Sequence, residues 1–142
     1  MTVRRLVFLL LLCCTLLPVS AFAADTYHYI SAAALEARLS AKEPIHLVDI
    51  QVEEEFAKHH ITGATATYAY PVKTEADKAK LQAVLTKIKA DSAPVVVICP
   101  RGAGGATRTY DYLLSQGIAA ERLLILEKGQ EGWACPTLTE GK

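Results

Sequence analysis

Apolar residues along this chain follow two alternating periods. Short runs without a polar break read as strands buried in a parallel sheet, and between them apolar residues recur every three or four positions, as on one face of a helix. Tyr27–Ile30 reads as a first short strand, after which Ser31 is placed to cap a helix that buries Leu35 and Leu39. Pro44 introduces a second strand over Ile45–Asp49, and Glu53–Phe56 forms a short helical turn with its acids at the N-terminus. Ala64–Tyr68 is a candidate third strand. Between Thr74 and Lys89, Leu81, Val84, Leu85 and Ile88 share one helical face, with lysines opposite that read as a solvated face. Val95–Ile98 is an unbroken β-branched run. Ala106, Tyr110, Leu113 and Leu114 then fall on one side of a helix that Gly117 should stop, and Leu123–Leu126 is a last buried strand. Strands separated by helices imply an α/β fold, a parallel sheet with helices on both faces.

The first residues follow neither period. Arg4 and Arg5 precede an uncharged apolar core, Leu6–Leu17. Pro18 breaks that core, and Ala21, Phe22 and Ala23 supply a small-x-small cleavage pattern. These are the parts of a secretory signal peptide in order, and cleavage is expected after Ala23 or Ala24. The core is shorter than the roughly 20 residues a membrane-spanning helix needs. Leu12 and Cys13, which precede the two leader cysteines, are not the small residues of a lipoprotein site. Residues 1–24 are therefore expected to be a leader, and residues 25–142 a single exported domain with a short C-terminal tail, free of the membrane after cleavage.

Export changes the charge and thiol counts. The chain has 15 basic and 15 acidic residues, and losing Arg4 and Arg5 leaves 13 against 15, a net charge near −2. That balance argues against nucleic acid or anionic membrane as a partner. Of four cysteines, Cys13 and Cys14 leave with the leader. Cys99 and Cys135 remain, too few for a disulfide scaffold.

Cys99 closes the most apolar run of the domain and opens its most glycine-dense stretch, with Gly102, Gly104 and Gly105 close behind it. A thiol at the carboxyl end of a central strand, facing the start of a helix, occupies the position where α/β folds place chemistry. Backbone N–H groups and the positive end of the helix dipole stabilise a negative sulfur there. The plainer reading is a buried cysteine acting as a small hydrophobe. Other conspicuous residues read as structural. Adjacent His59 and His60 have no cysteine or carboxylate at ligand spacing, so no metal is expected. Asp49 at a strand end is placed to order a turn. Trp133 reads as a packing residue, and Arg108 is either a surface cation or a substrate contact.

Three stretches of the chain resemble the rhodanese-homology domain family from about Tyr29 to Trp133. Leu47, Val48 and Asp49, then Glu54, Glu55 and Phe56, then His60 to Ala64 are similar to its opening signature. Pro94 to Cys99 with the glycine loop resembles its catalytic strand and loop, and Leu124 to Gly129 with Gly132 and Trp133 resembles its closing segment. The resemblance implies a five-stranded parallel sheet flanked by helices on both faces, and a Cys99 that carries sulfane sulfur as a persulfide. It implies a substrate cradle at Arg101, Gly102, Ala103, Gly104 and Gly105, with no cofactor. The expected function is sulfur transfer or carriage from a small sulfur-containing anion, thiosulfate or polysulfide, to a thiol, cyanide or a sulfur-accepting protein. Two family arginines are replaced by Pro100 and Gly104, and Gln51 stands where the family's first signature has Arg. The alternatives are a non-catalytic binding module and a phosphatase or arsenate reductase. The latter's Cys-x5-Arg loop needs Arg where this chain has Gly105. By the family topology Cys135 lies beyond the turn beside the loop, on a tail turning away along the sheet edge, so it is not expected to pair with Cys99.

Overall fold

The computed structural model describes residues 27–142. The expected leader, residues 1–24, lies outside the described residues. Strands β1 (Tyr29–Ile30), β2 (His46–Asp49), β3 (His60–Ile61), β4 (Thr65–Ala66), β5 (Val95–Ile98), β6 (Leu123–Leu126) and β7 (Thr139–Glu140) alternate with helices α1 (Ala32–Ser40), α2 (Glu53–Lys58), α3 (Glu75–Lys89) and α4 (Gly104–Ser115). The main sheet has the order β1-β6-β5-β2-β4, and every neighbouring pair in it is parallel. β5 is central, which is why its four residues are all buried.

Local chemistry starts the helices. Ser31 Oγ accepts the Ala34 N–H at 3.2 Å, capping α1 as its sequence position predicts. Thr74 and Asp77 form a reciprocal capping box on α3. Ala103 precedes α4 with no side-chain cap, so the first amides of that helix face the Cys99 loop without a local side-chain acceptor.

Side-chain alternation along β5 sorts the core into two layers. Val95, Val97 and Cys99 pack with Leu81, Val84 and Ile88 of α3 and with Ala106, Tyr110 and Leu113 of α4. Val96 and Ile98 pack on the other face with Leu35 of α1, Ile61, Trp133 and Cys135. Each wholly buried leucine or isoleucine here stabilises the fold by roughly 2 kcal/mol.

Five local expectations change. The first strand pairs only over Tyr29 and Ile30. β4 pairs only over Thr65 and Ala66, and Thr67, whose N–H and Oγ1 both donate to the Asp49 carbonyl at 2.9 Å, follows it. Tyr68 follows at φ 55°, off the strand path. Leu114 does not share the buried face: it is 42% exposed, one residue and about 100° of helix rotation past buried Leu113. The α3 lysines are not all free in solvent, since Lys80 Nζ donates to the Tyr68 carbonyl at 2.9 Å and Lys78 pairs with Glu75 at 2.7 Å. The C-terminal tail also folds back, where β7 pairs antiparallel with β3 and Trp133 and Cys135 are buried.

Candidate active site

The sulfur sits where a buried strand meets a helix. β5 delivers Cys99 to the carboxyl edge of the sheet, and the residue is 2% exposed. The Gly102 N–H donates to Cys99 Sγ at 3.0 Å. Gly102 has φ +69°, and a Cβ there would stand 2.7 Å from Lys128 N and 2.9 Å from Leu126 O, so this turn admits only glycine. The loop leans on the turn after β6: Gln130 N–H donates to the Cys99 carbonyl at 2.8 Å and Glu131 N–H to that of Pro100 at 3.0 Å.

The expected cradle residues divide by position. Gly102 provides the amide on the sulfur, Ala103 is the cap residue, and Gly104 and Gly105 are the first two residues of α4. Their amides belong to the helix turn whose N–H groups have no partner within the helix. A Cβ on Gly105 would come 3.1 Å from the Tyr70 ring and 3.2 Å from Ile50 Cδ1, so Tyr70 and Ile50 wall this side of the loop. Arg101 lies apart from that wall. Its Nη1 pairs with Glu131 Oε1 at 3.4 Å, and the two side chains are 66% and 61% exposed. Such a pair contributes little to stability. Arg108 is half-buried, and its Nε and Nη2 donate to the Pro71 carbonyl at 3.0 and 2.8 Å.

Asp49 and Gln51 support the opposite wall. Asp49 Oδ1 accepts the Gln51 N–H at 2.8 Å and Oδ2 accepts Gln51 Nε2 at 3.0 Å, the strand-end turn its position suggests. Burial pushes the Asp49 carboxyl up to about 6, against the hydrogen bonds from Gln51 and the charge of His60. Gln51 Nε2 also donates to the His59 carbonyl at 3.2 Å. A cleft of about 410 Å³ opens beside Pro100, lined by Gln51, His59 and Gln130 among others. Gln130 Nε2 donates to His59 Nδ1 at 2.8 Å, while its buried Oε1 has no partner.

The two adjacent histidines have separate structural jobs. His60 Nδ1 donates to the Phe56 carbonyl at 2.7 Å and its ring stacks on Phe56 at 3.8 Å, whereas His59 faces Gln130. Among the described residues no group of three His, Cys, Asp or Glu side chains could hold a metal ion. Cys99 and Cys135 are both free thiols, packed in opposite layers of the sheet. Trp133 packs as expected, and its Nε1 donates to Thr139 Oγ1 at 3.1 Å. The turn at Lys128 to Gln130 lies beside the loop, as the family resemblance implies, whereas Tyr70 is a neighbour that the sequence did not point to. Gly129 alone carried a local signal, a glycine directly after a buried strand.

Residues 31–135 match the family model of the rhodanese-like domain. No curated protein matches the chain. Among solved structures, the rhodanese-like domain of an Anabaena protein is 20% identical, with a TM-score of 0.59 over 82% of this chain and 81% of that one. A yeast protein tyrosine phosphatase of the rhodanese family is also 20% identical, with a TM-score of 0.63 over 84% of this chain and 95% of that one. A thiosulfate sulfurtransferase from Pseudomonas aeruginosa is 18% identical, with a TM-score of 0.58 over 82% of this chain but only 20% of that one. An As-Sb reductase from Leishmania major gives 20% and 0.60 over 82% and 87%. At these identities the likeness establishes the fold.

Proposed function

This chain belongs to the rhodanese-like domain family, and we propose that it is an exported sulfurtransferase or sulfur carrier working through a persulfide on Cys99. The observation that carries the proposal is the seat of the sulfur. Cys99 Sγ lies at the end of the central strand, takes the Gly102 N–H at 3.0 Å, and faces the uncapped start of α4. That environment favours a nucleophilic sulfur and then an anionic terminal one.

The chemistry is two displacements. The Cys99 thiolate bonds to the sulfane sulfur of a donor such as thiosulfate, the donor S–S bond breaks, and sulfite leaves with the electron pair. A thiolate or cyanide then attacks the outer persulfide sulfur, and the Cys99 thiolate leaves. This is ping-pong covalent catalysis in which the protein supplies the nucleophile and stabilises the anion. A thiol on another protein is chemically equivalent to a small one in the second step.

The phosphatase and reductase relatives raise a second reading, which the loop itself disfavours. A Cys-x5-Arg loop requires Arg at position 105, and the Gly105 Cβ direction is filled by Tyr70 and Ile50 at 3.1 and 3.2 Å. A non-catalytic binding module does not need a thiol, so the presence of Cys99 in this seat favours the transfer reading.

Intact mass spectrometry of protein recovered from an exported fraction tests both parts of the proposal. The expected mass corresponds to a chain beginning after Ala23 or Ala24, and it gains sulfur on treatment with thiosulfate or polysulfide. Cys99→Ser should gain none while unfolding at the same temperature. An unmodified wild-type protein, or sulfur retained by Cys99→Ser, overturns the persulfide reading. An intact leader on a membrane-bound form overturns export.

A further inference from the structure

The loop's own arginine pairs with Glu131 at the surface, and another guanidinium occupies the space beside Gly104. A Cβ built on Gly104 would stand 2.8 Å from Arg108 Nη1 and 3.6 Å from its Cζ and Nη2. The Arg108 head group therefore fills the volume that a side chain at position 104 would take. It is also held in place. Nε and Nη2 both donate to the Pro71 carbonyl, just before Val72 at φ 59°, a strained value for a β-branched residue. Among the described residues Nη1 has no hydrogen-bond acceptor, and no carboxylate pairs with Arg108. The charged neighbours in its groove are Lys73, Lys78 and Asp111.

We propose that Arg108, through Nη1, holds the anionic end of the sulfur donor, and that Gly104 lacks a side chain so that this guanidinium can reach the loop. The inference rests on the persulfide reading and deepens it by naming the donor class. The donor carries an oxyanion on the atom bonded to the sulfur it gives up, as the sulfonate of thiosulfate does. When the S–S bond breaks, negative charge accumulates on that leaving group, as sulfite departs with the electron pair. A rigid cation with one unused N–H face is suited to stabilise it. Arg101 is an exposed partner of Glu131 and has no such constraint.

The test compares single-turnover loading of Cys99 by thiosulfate with loading by inorganic polysulfide, which has no oxyanion. In Arg108→Met the thiosulfate-to-polysulfide rate ratio should fall roughly 10- to 100-fold, and Arg108→Lys should restore part of it. Gly104→Ala, whose methyl pushes Nη1 aside without removing the Pro71 bonds, should lower the ratio in the same direction and covers the case in which Arg108→Met fails to fold. Equal loss with both donors would mean that Arg108 only braces the Pro71 segment, and would overturn the proposal. A selective loss in Arg101→Ala instead of Arg108→Met would also overturn it. If the wild-type protein takes up no sulfur, the persulfide reading fails, and calorimetry of thiosulfate with Cys99→Ser decides this inference separately. Affinity weakened at least tenfold by adding Arg108→Met supports it, and unchanged affinity sinks it.

Discussion

Asp49 makes stability depend on pH in a direction opposite to that of most paired carboxylates. It is wholly buried, and both oxygens accept from Gln51, but burial outweighs these bonds and pushes the carboxyl from the ordinary 3.8 up to about 6. Below about pH 4 the group is protonated in both the folded and unfolded chains. As pH rises the unfolded carboxyl ionises first, and the folded one follows only near 6. The folded state then binds the extra proton, so unfolding becomes easier between about pH 4 and 6.5 and levels off above. A difference of about two pH units corresponds to roughly 3 kcal/mol of stability, fully present below the lower value and lost by the upper one. Asp49→Asn keeps the shape and an oxygen for the Gln51 N–H but has no proton to lose. Urea unfolding of both proteins from pH 4 to 7.5 gives two curves whose difference cancels most other titrations. His60 and Glu55, which also act on Asp49, are present in both proteins. The difference should drift by roughly 3 kcal/mol in favour of the Asp49→Asn protein as pH rises. Parallel curves would refute the reasoning, because they would mean that Gln51 and His60 hold Asp49 ionised despite its burial.

Two other substitutions probe the supports of the loop and its thiol. Gly129 has φ 56° and ψ −151°, and a Cβ there would collide with the Cys99 carbonyl and lie 2.6 Å from Gly102 N. Gly129→Ala should cost about 3 kcal/mol or more in urea unfolding and slow Cys99 loading, and a cost under about 1 kcal/mol would show the turn is not packed against the loop. Cys135→Ser should leave loading unchanged in the absence of reductant, because the two thiols lie in opposite layers. A large gain in activity would reveal an inhibitory disulfide, and a loss would make Cys135 a resolving thiol.

The interior strands were legible because a strand buried on both faces has no polar residue to blur it, as in β5 and β6. The edge strands β1 and β4 were legible but read too long, as Tyr27–Ile30 and Ala64–Tyr68, because two paired residues are too few for a period to fix the ends. The pairing of β3 with β7 joins His60 to Glu140 and has no local signature, since neither segment is a strand without the other. In the site, Cys99 and its glycines could be read directly, because thiol, strand end and turn are contiguous in sequence. The side-chain directions of Arg101 and Arg108 could not. They are set by Glu131 and Pro71, each about 30 or more residues away along the chain. Arg101 stands two residues after the cysteine, and its exposed side chain pairs with Glu131.

The turn after β6 couples the two layers of the domain. Gly129 lies against the Cys99 carbonyl, and the next two amides bond the carbonyls of Cys99 and Pro100. Two and four residues further on, Trp133 and Cys135 are buried in the layer that does not contain the Cys99 sulfur. The tail then bonds to β3, and Lys142 N–H donates to the Ala57 carbonyl at 3.0 Å. Pro100 has no N–H to direct at an anion, but its carbonyl is one of the two anchors of this turn. The loop thus gives up one cradle amide at Pro100 and keeps a firm connection to the tail. Packing of the tail and placement of the Cys99 sulfur therefore share one short segment, Gly129 to Glu131, and loosening the tail should loosen the sulfur's seat before it disturbs the central strands.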